Sequence, residues 1–238
     1  MKLSSAAVLF LTLGGALAAR QASATFVSVA LPTVNNDIRT YTDGSAYEPL
    51  YPTSSQTLGG IPFQFQTVGN GNDVFIGGTL TMPVSIGNAG TVYTLINTAF
   101  GSYGQNVGSI TFNASGGLTY TVQLVEGVNV RDHYYDGFVN TTTDPNTTEN
   151  VWGSGDPGNA HLDMQTFVLP VAFDSATLTS IVFDSTGDNT TGEPFLAGVT
   201  VDTAVPEPST LVTGAFMLLP FGAGALRRLR RRSIANSR

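Results

Sequence analysis

An alternation of apolar and polar residues with a period of two is the feature that most constrains the fold of this chain. In the stretch LTYTVQLV, polar residues separate Leu118, Tyr120, Val122 and Leu124. Successive side chains of a β-strand point to opposite faces, so this spacing predicts a strand with one buried face. The centre of the chain contains no long run with helical spacing. The alternation therefore predicts an all-β protein.

Other short segments have the composition of strands, and turn residues separate them. They are 26–31, 61–68, 79–86, 92–96, 109–112, 164–173, 178–183 and 195–201. The sequence NASGG between 109–112 and 118–125 predicts a hairpin, and Pro83 predicts an edge strand or a bulge because it cannot donate a ladder hydrogen bond. About nine or ten strands without intervening helices predict one antiparallel β-sandwich or jelly roll.

Two aromatic residues are candidates for ligand binding. The polar segment 140–160 is expected to form a surface loop, and it contains Trp152, the single tryptophan of the chain. Tyr134 and Tyr135 precede it and must point to opposite faces if they lie in a strand. Exposed aromatic rings beside Asn and Asp can stack on sugars. Trp152 and Tyr134 are therefore predicted to contact a carbohydrate.

Residues for catalysis are scarce. The chain has no cysteine and only two imidazoles, His133 and His161, which are expected on polar loops. It lacks a Gly-x-Ser-x-Gly or His-Glu-x-x-His motif, and paired carboxylates such as Asp132 and Asp136 do not define a hydrolase by themselves. The sequence therefore predicts a protein that is not an enzyme, with a secreted hydrolase as the remote alternative.

The central region is strongly acidic. Between Thr25 and Val205 there are two basic residues against sixteen acidic ones, although the formal charge of the whole chain is only −7. Such a region would repel the phosphates of nucleic acid. The turn DSTGDN offers oxygen ligands, so Asp184 and Asp188 are predicted as a structural calcium site, with a plain turn as the alternative.

The N-terminus has the pattern of an export signal. Met1-Lys2 gives a basic start, residues 3–17 are mostly apolar, and Ala22-Ser23-Ala24 is a small-x-small cleavage pattern. Residues 1–24 are therefore predicted to be a signal peptide, with the mature chain starting near Thr25 and cleavage at Ala18 as an alternative.

The C-terminus combines a proline-rich motif, an apolar segment and a basic cluster in the stretch VPEPSTLVTGAFMLLPFGAGALRRLRRR. The uncharged residues 210–226 would span about 26 Å as a helix, which barely crosses a ~30 Å hydrocarbon core. The five arginines are Arg227, Arg228, Arg230, Arg231 and Arg232. Positive charge stays on the cytoplasmic side, so the sequence predicts one transmembrane helix with the central region outside the cell.

This arrangement is similar to the PEP-CTERM sorting signal of Gram-negative bacteria. The resemblance implies that Pro206, Glu207 and Pro208 are recognised by exosortase, an integral membrane cysteine peptidase-transpeptidase, and that the five arginines act as the stop signal. It also implies passage through the export machinery and a membrane helix that is transient rather than permanent. A plain C-terminal anchor is the alternative. The expected organisation is 1–24 signal peptide, 25–204 β-sandwich, 205–232 sorting signal and 233–238 tail.

Residues 58–201 also resemble the galactose-binding-like jelly rolls of secreted carbohydrate-active proteins, through LGGIPFQFQ and MQTFVLPVAF with the strands that follow it. This resemblance supports a fold rather than an activity. Together the two resemblances imply a protein exported across the inner membrane to the cell envelope, cell surface or extracellular matrix. Its expected role is structural or adhesive, associated with exopolysaccharide or biofilm. A lectin-like module that binds extracellular polysaccharide is the alternative.

Overall fold

The computed structural model describes residues 25–40, 52, 54–69, 71–134, 138–153 and 160–203 of the 238-residue chain. All of these residues belong to one compact unit. The expected signal peptide and the C-terminal sorting signal with its apolar segment lie outside the described residues. Within the described ranges, no helix is long and apolar enough to cross a membrane.

The described part of the chain consists almost entirely of strands. They are β1 (Thr25–Val29), β2 (Gln56–Leu58), β3 (Ile61–Phe63), β4 (Phe75–Ile76), β5 (Gly78–Gly87), β6 (Ala89–Ala99), β7 (Asn106–Ala114), β8 (Leu118–Val125), β9 (Thr147–Gly153), β10 (His161–Val168), β11 (Thr177–Ser185) and β12 (Glu193–Thr203). Two 3-10 turns, Ser115–Gly117 and Val171–Ser175, follow β7 and β10. Every pair of these strands is antiparallel, which confirms the predicted all-β antiparallel fold.

The strands form two main sheets and a hairpin. The larger sheet has the order β1-β12-β6-β10-β9. The short strand β4 also pairs with β12, nearer to the start of β12 than β1 does. The smaller sheet has the order β5-β11-β7-β8, and β2 pairs with β3. The prediction from Pro83 is confirmed, because β5 lies at a sheet edge and its pairing with β11 shifts register next to Ser180, the partner of Pro83.

The main core lies between the two sheets, which makes the fold a β-sandwich. The smaller sheet contributes inward-facing residues such as Met82, Ile110 and Phe183, and the larger sheet contributes Val92 and Val199. Their positions follow the period of two along each strand. Burial of each such side chain is worth about 1.5–3 kcal/mol relative to exposure, so this shared interior holds the sheets together.

A second core covers the outer face of the larger sheet. The β2-β3 hairpin lies over it, with Phe63 fully buried. Both residues of the connecting turn, Gly59 and Gly60, have positive φ, at 56° and 84°, as a tight hairpin turn requires. The carbonyl of Pro62 accepts hydrogen bonds from the hydroxyls of Thr200 at 2.5 Å and Ser28 at 3.0 Å. These bonds fasten the hairpin to the sheet.

Three expectations about individual segments are wrong. The strand expected over 61–68 ends at Phe63. Segment 140–160 is not a loop throughout, because Thr147–Gly153 forms strand β9 along β10. The sequence TTENVWG contains only two large apolar residues, since β9 lies at the sheet edge with mostly polar, partly exposed side chains. The strand expected over 164–173 ends at Val168, and a 3-10 turn begins after Pro170, which cannot continue a ladder.

Candidate functional site

Three loops meet at one end of the sandwich, which we call the loop end. They are residues 100–105 after β6, residues 126–146 after β8 and residues 186–192 after β11. The amide of Ser102 donates to the carbonyl of Thr191 at 3.1 Å, and the amide of Gly104 donates to the carbonyl of Glu126 at 2.9 Å. These backbone bonds join the loops to one another.

A short segment, 131–134, is inserted between β6 and β10 at the loop end. The two strands pair directly as far as Leu95 and Met164. Beyond that point the amide of Thr98 donates to Arg131 O at 2.9 Å, and the amide of His133 donates to Thr98 O at 2.7 Å. On the other side, the amide of His161 donates to His133 O at 2.9 Å. The inserted segment thereby carries charged side chains into the interior.

Arg131 forms a buried ion pair with Asp163. Arg131 Nε and Nη2 donate to the two carboxylate oxygens at 2.6 and 2.8 Å, and neither side chain is exposed. The Asn97 amide donates to the same carboxylate at 2.9 Å, and Asn97 Oδ1 accepts from the Asp163 backbone amide at 2.8 Å. The backbone amide of Asn150 also donates to Asp163 Oδ1, at 2.7 Å. This network fixes the point where β6 and β10 separate.

Both histidines are buried, so their expected placement on polar loops is wrong. Burial, together with a smaller contribution from the neighbouring His161, lowers the pKa of His133 to about 3. The His133 ring meets Phe195 edge to face, with the centroids 5.6 Å apart. Burial also lowers the pKa of His161, although Asp163 opposes this effect. Both imidazoles are therefore neutral at pH 7. Their polar sequence neighbours concealed this placement, because segment 131–134 is inserted into a sheet.

The structure places Tyr134 and Trp152 at the same core. Tyr134 forms an isolated antiparallel β-bridge with Ala160. Trp152 of β9 lies opposite Leu162 of β10. Both aromatic side chains are half-buried and pack against the second core on the outer face of the larger sheet. Each therefore keeps part of its surface accessible while the rest contributes to packing. Their contact with a carbohydrate remains a prediction.

A groove of about 310 Å³ lies beside the edge strand β8, and we call it the edge groove. Its lining includes Tyr120, Asp144, Asn146, Thr166, Phe167 and Val168. Asp144 Oδ1 accepts hydrogen bonds from the backbone and side-chain amides of Asn146, both at 2.9 Å. The wall thus combines aromatic surface with carboxylate, amide and hydroxyl groups. That combination suits a ligand with alternating apolar faces and hydroxyls.

Asp184 and Asp188 are each held by their own neighbours. Asp184 Oδ1 accepts from the Thr79 hydroxyl at 2.7 Å. Asp188 Oδ1 accepts from the backbone amides and hydroxyls of Thr190 and Thr191. These bonds, those from Thr190 most strongly, lower the pKa of Asp188 to about 2. Among the described residues, no three His, Cys, Asp or Glu side chains are placed to hold a metal ion. Calcium at this pair remains a prediction.

Glu126 is a residue of the loop end that the sequence interpretation missed. Its side chain is fully buried, and its carboxylate lies against Gly101 and Gly192. Burial raises the pKa of Glu126 to about 8, with a further contribution from the charge of Asp132 and an opposing one from the Thr98 hydroxyl. A sequence signal for it existed, since the inward-facing alternation through Val122 and Leu124 continues to position 126.

The remaining sequence candidates lie outside the described residues. These are Pro206, Glu207 and Pro208, the five arginines Arg227, Arg228, Arg230, Arg231 and Arg232, and Asp136 of the carboxylate pair. The described part of the chain defines a β-sandwich protein with buried polar groups at the loop end and a mixed groove at one edge. No family model matches the chain, and no curated protein matches it either.

Proposed function

We propose that this chain is an exported β-sandwich protein of a Gram-negative bacterium, with a non-catalytic structural or adhesive role at the cell surface or in the extracellular matrix. The observation that carries this proposal is the order of three elements in the sequence: Pro206-Glu207-Pro208, the apolar residues 210–226 and the cluster Arg227–Arg232. The signal peptide expected over 1–24 supports export across the inner membrane by the general machinery. Such sorting accords with a role among exopolysaccharides or in biofilm.

The length of the apolar segment favours processing over permanent anchoring. Residues 210–226 contain Pro220 and three glycines, which weaken a helix that is already marginal in length. The arginines that follow would hold the segment in the membrane long enough for exosortase to act near Glu207. The membrane is then a transient partner and exosortase the specific one. A protein that kept the segment would instead be a plain membrane-anchored protein.

Mass spectrometry of the intact protein tests the sorting proposal. The full chain is produced in a host that contains an exosortase, and the envelope and medium fractions are analysed. We expect a mature protein without Arg227–Arg232. Glu207→Ala should leave these arginines attached, whereas the control Glu48→Ala should not. Wild-type protein that still carries the arginines would refute sorting and support the plain anchor.

The strand order supports a jelly roll as the finer description of the fold. One sheet contains β1, β12, β6 and β10 in spatial order, and the other contains β5, β11, β7 and β8. The chain crosses between the sheets at β4-β5, β5-β6, β6-β7, β8-β9, β10-β11 and β11-β12. This order accords with the double Greek-key arrangement of a jelly roll and with the resemblance to galactose-binding-like domains. By itself this fold does not define a ligand.

A second candidate function, carbohydrate binding, is favoured by the edge groove. The partly buried Tyr120 provides aromatic surface above the buried Phe167, and Asp144, Asn146 and Thr166 provide groups that can bond to hydroxyls. The half-buried Trp152 and Tyr134 form the alternative position for a sugar. In either position the protein would bind extracellular polysaccharide and so adhere to the matrix.

A glycan array with the full chain, with and without calcium, tests this second function. If the edge groove binds, Asn146→Ala should abolish a specific signal, while Trp152→Phe and the exposed control Asn189→Ala should keep it. Loss of the signal in Trp152→Phe alone would place the sugar beside Tyr134 instead. An array with no specific signal would reject carbohydrate binding and leave the structural role.

A further inference from the structure

The interior of the sandwich ends in two polar side chains at the loop end. Along β6, the inward-facing positions Val92 and Ile96 lead to Thr98, and along β8 Leu124 leads to Glu126. Both terminal side chains are fully buried, and their positions follow the period of two of their strands. An apolar residue at either position would have continued the core. The sequence instead provides a hydroxyl and a carboxyl there.

Three buried oxygen atoms of these two side chains, Thr98 Oγ1, Glu126 Oε1 and Glu126 Oε2, make no hydrogen bond of good geometry among the described residues. The Thr98 hydroxyl lies close enough to the Glu126 carboxylate to oppose the rise in its pKa, so the two groups are neighbours. Leaving a buried polar group unsatisfied costs about 1–3 kcal/mol, and more for a charged group. Since most buried polar groups in folded proteins are bonded, a partner for these oxygens is expected.

Two glycines leave room for the Glu126 carboxylate itself. A Cβ at Gly101 would lie 2.5 Å from Glu126 Cδ, and one at Gly192 would lie 2.6 Å from Glu126 Oε1. The backbones of both loops therefore approach the carboxylate more closely than any other residue type allows.

A second carboxylate lies beside this pair. Asp132 is the parallel β-bridge partner of Thr98, so it lies directly beside that residue. One Asp132 oxygen, Oδ1, accepts from the backbone amide of Tyr134 at 2.7 Å. The site is thus built of oxygen-bearing side chains.

We propose that a calcium ion binds at the loop end between Glu126, Asp132 and the Thr98 hydroxyl. Calcium accepts six to eight oxygen ligands in irregular arrangements, so carboxylates, a hydroxyl, loop carbonyls and water can together satisfy it. Magnesium retains most of its water, and so fits a buried, glycine-lined space poorly. The ion would connect loops 100–105, 126–146 and 186–192. This site is distinct from Asp184 and Asp188 and does not depend on how the chain is sorted.

Thermal unfolding of the full chain tests the calcium site. Protein stripped with EDTA is measured at pH 7 in roughly 1 mM calcium or magnesium, since extracellular sites often bind calcium in the 10⁻⁴–10⁻³ M range. We expect calcium to raise the Tm and magnesium to have a much smaller effect. Glu126→Gln should lose the calcium shift, and the exposed control Asp174→Asn, in the 3-10 turn after β10, should keep it.

Titration calorimetry with calcium alone gives the second measurement. Thr98→Val preserves the side-chain shape and removes the hydroxyl, so it should weaken calcium binding several-fold without preventing folding. If Glu126→Gln does not fold, Thr98→Val tests whether calcium binds at the loop end. Three results would overturn the proposal: no response of the wild type to calcium, an unchanged shift in Glu126→Gln, or calcium affinity unchanged in Thr98→Val.

Discussion

Arg131 and Asp163 face each other as a two-point ion pair from which water is excluded. The guanidinium belongs to the inserted segment 131–134 and the carboxylate to β10, so the pair joins a loop to the sheet that it enters. Arg131 also donates to the carbonyl of Asn140 at 2.6 Å and to the side chain of Asn150 at 3.0 Å. Between Thr25 and Val205 the sequence has two arginines, and the fold buries Arg131 completely.

Removing the charge of Asp163 should destabilise the protein strongly. In Asp163→Asn the buried guanidinium keeps its charge and loses its buried counter-ion, so that only the partly exposed Glu149, 3.4 Å from Nη1, remains. Breaking such a buried pair costs about 3–5 kcal/mol. The free energy of unfolding, measured by urea titration with circular dichroism, should fall by that amount. Asp184→Asn, whose bond to Thr79 is exposed, should cost less than about 1 kcal/mol. Equal effects in the two variants would contradict a special role for the buried pair.

The buried His133 predicts a loss of stability in acid. Its folded pKa of about 3 lies below the ordinary value of 6.5. Between these two pH values the unfolded chain therefore binds a proton that the folded protein does not bind. The contribution of His133 to the free energy of unfolding is fully present above pH 6.5. It decreases by about 1.4 kcal/mol per pH unit as the pH falls toward 3. His133→Gln should lose less stability over this range than the wild type. Urea titrations at several pH values from 7 to 4 provide the comparison.

The difference between variant and wild type isolates this effect. Glu126 and Asp73 have raised folded pKa values and therefore contribute stability that is lost as the pH rises, in the opposite direction. Both carboxyls are present in the two proteins, so their contributions cancel in the comparison. Parallel pH profiles of the wild type and His133→Gln would show that the imidazole is not the group responsible.

Asp73 should hold the N-terminal segment against the sandwich. Its Oδ1 accepts from the amide of Ile38 at 2.9 Å, and its side chain is almost fully buried. Asp73→Ala leaves that amide unsatisfied, so we expect a loss of about 1–3 kcal/mol. Hydrogen exchange should accelerate at Ile38 and its neighbours. The matched variant Asp37→Ala, at a half-buried position, should have a smaller effect on both measurements, and the reverse order would exclude this role.

The turn between β2 and β3 should depend on the backbone of Gly60. This residue has a φ of 84°, and a Cβ at this position would meet no atom within 4 Å. Gly60→Ala therefore adds backbone strain alone, at about 1–2 kcal/mol. In a domain of this size the Tm should fall by roughly 2–8 °C. Gly69, which is equally uncrowded but lacks a positive φ, is the control, and Gly69→Ala should leave the Tm nearly unchanged.

The strands were predictable wherever an alternating pattern coincided with partial burial. LTYTVQLV is strand β8 residue for residue, and Pro83 correctly indicated an edge strand. Strand β9 was not predictable in this way, because the side chains of an edge strand such as Thr147–Gly153 are mostly polar. Its pairing depends on β10, which the local sequence does not contain.

The loop end was less predictable, because its chemistry depends on contacts between distant residues. Arg131 and Asp163 are 32 residues apart in the sequence. From its local sequence alone, each would be predicted to be an ordinary surface charge. The burial of His133 requires β6 and β10 to separate, which no local pattern indicates. Glu126 is the exception, since an acid at the next inward-facing position of β8 could have been recognised from the alternation alone.

The pairing of β1 with β12 determines how the protein would bear load. Thr25 and Thr203 are register partners at the end of the sandwich opposite Glu126, because β12 runs from the loop end to that point. In a protein tethered through the residues after Thr203, a pull applied at the loop end would act lengthwise along β12. Because ladder hydrogen bonds lie across the strands, those on both sides of β12 would resist together in shear instead of opening one at a time.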